Sequence, residues 1–184
     1  MVVRHSEPRD IDSIRQIYAQ SSVYADTLQL PFPSAELWQE RLGKRHEHFH
    51  SLVACEGDQV LGQIGIEVFA NPRRRHVANI GMAVSERALD LHVMRHARRR
   101  GVGSALLGAA IELCNGWLGV SRIELETYTG NDAAIALFRK FGFEVEGTAK
   151  AYALRAGAYA DVHLMARLGI PALGRSGESR DPAA

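Results

Sequence analysis

The sequence predicts a mixed α/β fold, one sheet flanked by helices, and three observations carry that prediction. Ile11, Ile14, Ile17 and Tyr18 recur at helical spacing and make one apolar face. Two apolar runs, Ser51–Glu56 and Gln59–Phe69, flank Gly57-Asp58, a hairpin signal in which both turn residues are expected to supply positive φ. Further on, Gly101-Val102-Gly103 opens a long segment whose Ala105, Leu106, Ala109, Ala110 and Leu113 form a buried helical stripe. Both periods occur along one chain, so the fold mixes helices with strands.

Taken in order, Val2–Arg4 reads as a short strand. Asp10 is the expected N-cap of a helix running to about Ala19. Leu30-Pro31-Phe32-Pro33 breaks the chain, and Ser34 starts a second helix carrying Leu37, Trp38, Arg41 and Leu42. After the hairpin come a strand at His76–Val84, a polar segment at Ser85–Arg100, and the glycine-led helix to about Leu118. Strand Arg122–Tyr128, helix Asp132–Lys140, strand Phe143–Glu146 and a last strand near Ala160–Arg167 complete the order.

At 184 residues with 46% hydrophobic content, residues 1–168 are expected to form a single domain with a sizeable core. Gly169–Ala184 is rich in Gly, Pro, Ser and charge, and is expected to be a disordered tail. A net charge of +1, from 22 basic and 21 acidic residues, gives no global pull toward nucleic acid or an anionic membrane. Cys55 and Cys114 sit in apolar runs and read as reduced core thiols. No apolar leader follows Met1 and no run nears the roughly 20 apolar residues of a membrane span, so the expected location is the cytoplasm.

A glycine loop at a helix start is a natural anion site, because unpaired amides and the helix dipole both favour phosphate. Arg98, Arg99 and Arg100 add charge just before Gly101. The P-loop is excluded, since no lysine follows Gly103-Ser104, and the dinucleotide fingerprint is excluded because its third glycine falls on Leu106. The plainer alternative for an isolated G-x-G is a tight turn beside a solvated basic face.

Two longer patterns weigh against that alternative. Arg98-x-x-Gly101-x-Gly103, after a strand and opening a helix, resembles the acetyl-CoA-binding signature of the GNAT superfamily of N-acetyltransferases. Asn131-x-x-Ala134-Ile135-x-Leu137-Phe138-x-Lys140-x-Gly142-Phe143 resembles that family's downstream motif. The segment Tyr24-x-x-Thr27-Leu28-Gln29-Leu30-Pro31, with Trp38-Gln39-Glu40-Arg41-Leu42, is similar to bacterial L-amino-acid N-acetyltransferases.

The resemblance implies a twisted, mostly antiparallel sheet with one splayed parallel pair, and direct acetyl transfer from acetyl-CoA to an amine without an acyl-enzyme. It assigns the cofactor to Met82, Ala83 and Val84, to Arg98 through Ser104 (Arg99, Arg100, Gly101, Val102 and Gly103 between them), and to Asn131, Ala134, Phe138 and Lys140. It makes Glu126 the candidate general base, needed because an ammonium has no free lone pair; Glu124 and Glu126 share a strand face, so a surface salt bridge is the alternative for either. Leu30, Phe32, Trp38 and Tyr152 are the expected acceptor-site residues. A homodimer is the family expectation.

The chain departs from the pattern at Phe138, where most members have a tyrosine that protonates the leaving thiolate; Tyr152 or solvent must then do so. It departs again in the length of Ser85–Arg98, where Glu86–His96 reads as an insertion, either a lid or a solvated loop. His46, His48 and His50 alternate, but in a polar connection where solvated side chains are the simpler reading, so no metal is expected. Arg73-Arg74-Arg75 has no interleaved aromatic residues and does not predict RNA binding. Core packing is the plain alternative for both Trp38 and Trp117; of the two, Trp38, beside the proline linker, is the better acceptor-pocket candidate. Two rivals to amino-acid acetylation stand: a peptide or ribosomal-protein N-terminal acetyltransferase, and an acetyl-CoA-binding protein that has lost catalysis.

Overall fold

The computed structural model describes residues 1–43, 47–86 and 101–169. Its elements are β1 (Val2–His5), α1 (Ile11–Tyr18), α2 (Ser21–Tyr24), α3 (Ala35–Gly43), β2 (Phe49–Glu56), β3 (Gln59–Val68), β4 (Val77–Val84), α4 (Val102–Gly116), β5 (Arg122–Tyr128), α5 (Asp132–Lys140), β6 (Glu144–Arg155) and β7 (Ala158–Leu168). The strands form one seven-stranded sheet in the order β1-β2-β3-β4-β5-β7-β6. Every neighbouring pair is antiparallel except β4–β5, which is parallel. The predicted mixed sheet is therefore present, splayed parallel pair included.

Alternation along the strands sends side chains to two faces. On one, α4 lays Leu106, Leu107, Ala110 and Cys114 against Leu52, Ile64, Ile66, Ala78 and Ile80. On the other, Ile11, Ile14, Ile17 and Tyr18 of α1 and Trp38 of α3 cover Val53, Cys55, Val60 and Ala83. Both cysteines are buried and free, and burial pushes the Cys114 thiol up to about 11. Among the described residues no helix is long and apolar enough to cross a membrane.

Several local expectations change. Asp10 does not cap α1 with its side chain. It closes a preceding 3₁₀ turn, accepting from the Glu7 amide (2.8 Å) and from both terminal nitrogens of Arg4 (2.6 and 2.9 Å). The buried Asp10 carboxylate is satisfied best by that charged fork, which holds its pKa below the ordinary carboxylate value. Ser34 does cap α3, its hydroxyl accepting from the Leu37 amide at 3.4 Å. In the β2–β3 turn Gly57 alone takes positive φ (56°), Asp58 being accommodated without it. Strand β6 is far longer than Phe143–Glu146. Register shifts between Val145 and Gly147 and between Ala149 and Ala153 break its alternation, and it returns through Ala156-Gly157, both at positive φ. Gly157 is a turn residue, but the interrupted alternation leading into it keeps the hairpin from being legible in the sequence. Trp117 is 80% exposed and does not belong to the core. The Arg73–Arg75 triplet lies in and beside a 3₁₀ turn; Arg74 pairs with Glu124 and stacks on Phe69. The expected tail lies outside the described residues apart from Gly169, whose amide donates to Ser121 O at 2.7 Å.

Candidate active site

Strands β4 and β5 pair only where Val77–Asn79 faces Arg122–Glu124. Beyond that point they part, and the register of β3 on β4 fixes which groups of β4 face the gap. Ser85 N donates to Leu61 O (2.9 Å) and Phe69 N to Val77 O (3.1 Å), marking hydrogen-bonded pairs at both ends of an unshifted ladder. By antiparallel alternation Asn79, Gly81 and Ala83 turn their backbone groups to β3, while Ile80, Met82 and Val84 turn theirs to the gap. Of the Met82 and Ala83 amides, that of Met82 opens on the gap and that of Ala83 does not. Gly81 adjoins open space, since a Cβ there would meet nothing within 4 Å.

The first turn of α4 abuts the end of β4. Gly101 holds φ at 68°, a left-handed conformation that turns the chain into the helix. A Cβ on Gly103 would lie 3.0 Å from Leu137 and 3.4 Å from Met82, so glycine permits the close approach of α4, α5 and β4. The amides of Val102, Gly103 and Ser104 have no acceptor among the described residues, as a helix start leaves them. They carry the partial positive charge of the helix. Arg98, Arg99 and Arg100, with most of the 85–98 segment, lie outside the described residues.

Asn131 caps α5, its side-chain oxygen accepting from the Ala134 amide at 3.1 Å. Phe138 is buried against Phe143, with ring centroids 5.8 Å apart, and Lys140 lies exposed over Phe141. Glu126, half-buried on β5 two residues past the last parallel pair, accepts from Asn79 Nδ2 at 3.3 and 3.4 Å. Its neighbour Glu124 is committed to Arg74 and Arg122. Tyr152 sits on the bulge of β6, where Asp161 accepts from the Ala151 amide (2.9 Å) while Ala151 takes a φ of 49°. Burial and the charge of Glu126 raise the Tyr152 phenol above its ordinary value.

On the α1–α3 face a cleft of about 550 Å³ reaches Asn79 and Gly81 of β4, and Asn79 in turn holds Glu126 of β5. Trp38, Arg41 and Leu42 of α3, Tyr18 of α1, and Gln63, Gly65 and Glu67 of β3 line it. Its floor is a buried polar chain: Tyr18 Oη donates to Gln63 Oε1 (2.8 Å) and Gln63 Nε2 to Ser51 Oγ (3.0 Å). Burial raises the Tyr18 pKa well above the ordinary value, so the phenol stays a neutral donor. Trp38 stacks on Tyr18 at 4.7 Å. Leu30 and Phe32 are 81% and 94% exposed and stand outside the cleft lining. Tyr18, Arg41, Gln63, Glu67 and Asn79 were not singled out as site residues from the sequence. The signal for β3 was there: Gln63, Gly65 and Glu67 put polar or small residues on one face of a strand whose other face is Ile64 and Ile66. His48 lies at the cleft edge and His50 in β2; His46 is outside the described residues, and among those described no three His, Cys, Asp or Glu side chains form a metal-binding cluster.

A strand gap with outward amides, closed at one end by a glycine-led helix start, suits the amide-rich arm and pyrophosphate of a coenzyme A thioester. Residues 11–143 match the model of the Acetyltransferase (GNAT) family, and the chain belongs to that family. It is accordingly an acetyl-CoA-dependent N-acetyltransferase. Among its relatives is the L-amino acid N-acetyltransferase AaaT of Escherichia coli (strain K12), 48% identical over 91% of this chain and 98% of that protein. A GNAT superfamily phosphinothricin acetyltransferase from Sinorhizobium meliloti, solved in complex with AcCoA, matches at 25% identity and a TM-score of 0.78, covering 98% of this chain and 95% of that one. A ribosomal-protein-alanine N-acetyltransferase from Brucella melitensis matches at 26% identity and a TM-score of 0.77, over 91% and 99% of the two chains.

Proposed function

We propose that the enzyme acetylates the α-amine of an L-amino acid by direct attack on acetyl-CoA, within one domain spanning residues 1–168 and in the cytoplasm. The observation that carries this reading is the cleft reaching Asn79 and Gly81 of β4, with Glu126 of β5 hydrogen-bonded to Asn79. The 48% identity to an amino-acid acetyltransferase supports the acceptor class.

Acetyl-CoA supplies an activated acyl carbon, and the protein arranges what surrounds it. The amides of Val102, Gly103 and Ser104 bind the pyrophosphate, and Ile80, Met82 and Val84 offer backbone groups to the pantetheine arm. The Met82 amide is a preorganised donor for charge that develops on the thioester oxygen. Glu126 takes a proton from the acceptor ammonium, directly or through a water, and so frees its lone pair. Phe138 has no proton to give, so Tyr152, a phenol that is protonated at neutral pH, is the donor assigned to the departing thiolate.

Incubating the protein with acetyl-CoA and a panel of L-amino acids, alanine-initiated peptides and simple amines tests the acceptor class by thiol release. Turnover concentrated in the free amino acids is expected. Preference for peptides would transfer the reading to N-terminal acetylation, and an absence of turnover with every amine would sink both.

A further inference from the structure

We infer that Arg41 is the specificity determinant that binds the acceptor's α-carboxylate; the inference rests on the amino-acid reading above. Arg41 follows Trp38 by three residues on α3, so the two side chains share a helix face. Its guanidinium lies over the Trp38 ring, 5.3 Å from the centroid, and Nη1 donates to Gln29 Oε1 at 2.8 Å. Trp38 is itself fixed by stacking on Tyr18, whose hydroxyl is held by Gln63. A chain of contacts running from β3 outward thus ends on the guanidinium.

Among the described residues the guanidinium is not committed to a carboxylate. No acidic side chain among the described residues pairs with Arg41, although Glu47 and Glu67 line the same cleft. Among the described residues one of its five N–H donors is used, on Gln29, and such a planar fork is suited to bidentate capture of a carboxylate. The cleft also divides its charge. Arg41 stands on α3, while Glu67 faces Asn79 across the β3–β4 ladder and Asn79 holds Glu126. An amino-acid zwitterion matches that division, with its ammonium toward the strands and its carboxylate toward the helix. Trp38, Leu42 and Phe49 leave an apolar wall for the side chain. A peptide N-terminus has an amide where the carboxylate would be, and a simple amine has nothing there.

The test compares L-leucine with L-leucinamide, which differ at the carboxyl group. The amide's less basic amine is more fully unprotonated near neutral pH, which favours it as a nucleophile, so a preference for the free acid must come from the carboxylate. The wild type is expected to prefer L-leucine, and R41Q to lower its kcat/KM for L-leucine about 10- to 100-fold, chiefly through KM, while L-leucinamide changes less than threefold. R41K, a charge without the fork, should fall between. A role in packing alone would lower stability and slow both substrates together. Equal kcat/KM for acid and amide in the wild type would overturn the inference and leave amino-acid acetylation standing. If no amino acid turns over, calorimetric titration of L-leucine into the CoA-loaded protein decides it separately. Binding that R41Q weakens tenfold upholds the carboxylate site, and no binding overturns it.

Discussion

The two faces of the sheet are filled on different terms. Under α4 the filling is apolar throughout, and Leu106, Leu107 and Ala110 are no more than 1% exposed. Under α1 and α3 the apolar packing stops short, and Gln63, Glu67 and Asn79 stand where further leucines would have closed the core. Gln63 is the buried one of the three, and a buried polar group is costly unless paired; the Tyr18–Gln63–Ser51 chain pairs it. One face therefore holds the fold together, and the other exchanges some of that cohesion for a cleft. Substitutions on the two faces should separate activity from stability.

The largest separation is expected at Glu126. Glu126→Gln keeps the hydrogen bond to Asn79 within reach but removes the basic oxygen, so kcat should fall about 10²- to 10⁴-fold. A half-buried strand residue of nearly the same shape leaves the melting temperature close to that of the wild type. Acetyl-CoA affinity, measured by calorimetry, should stay within about threefold. A kcat unchanged by the substitution would remove Glu126 from the mechanism and return it to the surface role that Glu124 plays.

On the opposite face the expectation reverses. Leu106 is completely buried between α4 and the sheet, so Leu106→Ala should cost about 2–5 kcal/mol in urea unfolding. Well below its lowered melting temperature the variant should retain a KM for the acceptor near the wild-type value, because Leu106 does not line the cleft. An acceptor KM that rises with the loss of stability would mean that the two faces are coupled.

The same contrast explains what could be read from the sequence. The cofactor side follows chain order: a strand, then beyond the 85–100 segment Gly101-Val102-Gly103 and the helix they open, and backbone amides need only a turn that glycine can make. The acceptor side is assembled from α1, α3, β3 and β4, which meet only after folding. Tyr18 counted as one more apolar position in a helical stripe, and nothing near it in the chain announced Gln63, 45 residues away. Leu30 and Phe32 are apolar and next to proline, the pattern of a pocket lining, yet both stand exposed. The β6 bulge that carries Tyr152 was hidden for a related reason. Its register is set by Asp161 on the neighbouring strand rather than by its own alternation.

The smallest effect concerns the way the cleft face is anchored to the sheet edge. Arg4 on β1 grips Asp10 just before α1, and Asp10 is 4% exposed. Asp10→Asn should cost about 1–3 kcal/mol at pH 7, the scale of hydrogen bonds to charged groups. Arg4 holds the folded-state pKa of Asp10 below its ordinary 3.8, so the unfolded chain binds the proton more readily. The stability this carboxylate contributes is therefore fully present above its unfolded value and is lost as pH falls through its folded value. Asp12, Glu146 and Asp161 also have depressed pKa values, but they titrate in both proteins and cancel in the difference. The gap in unfolding free energy between wild type and Asp10→Asn should hold steady from pH 7 to about 5 and narrow below pH 4. A gap that stays constant to pH 2.5 would show that Asp10 contributes through shape and hydrogen bonding, with its charge immaterial.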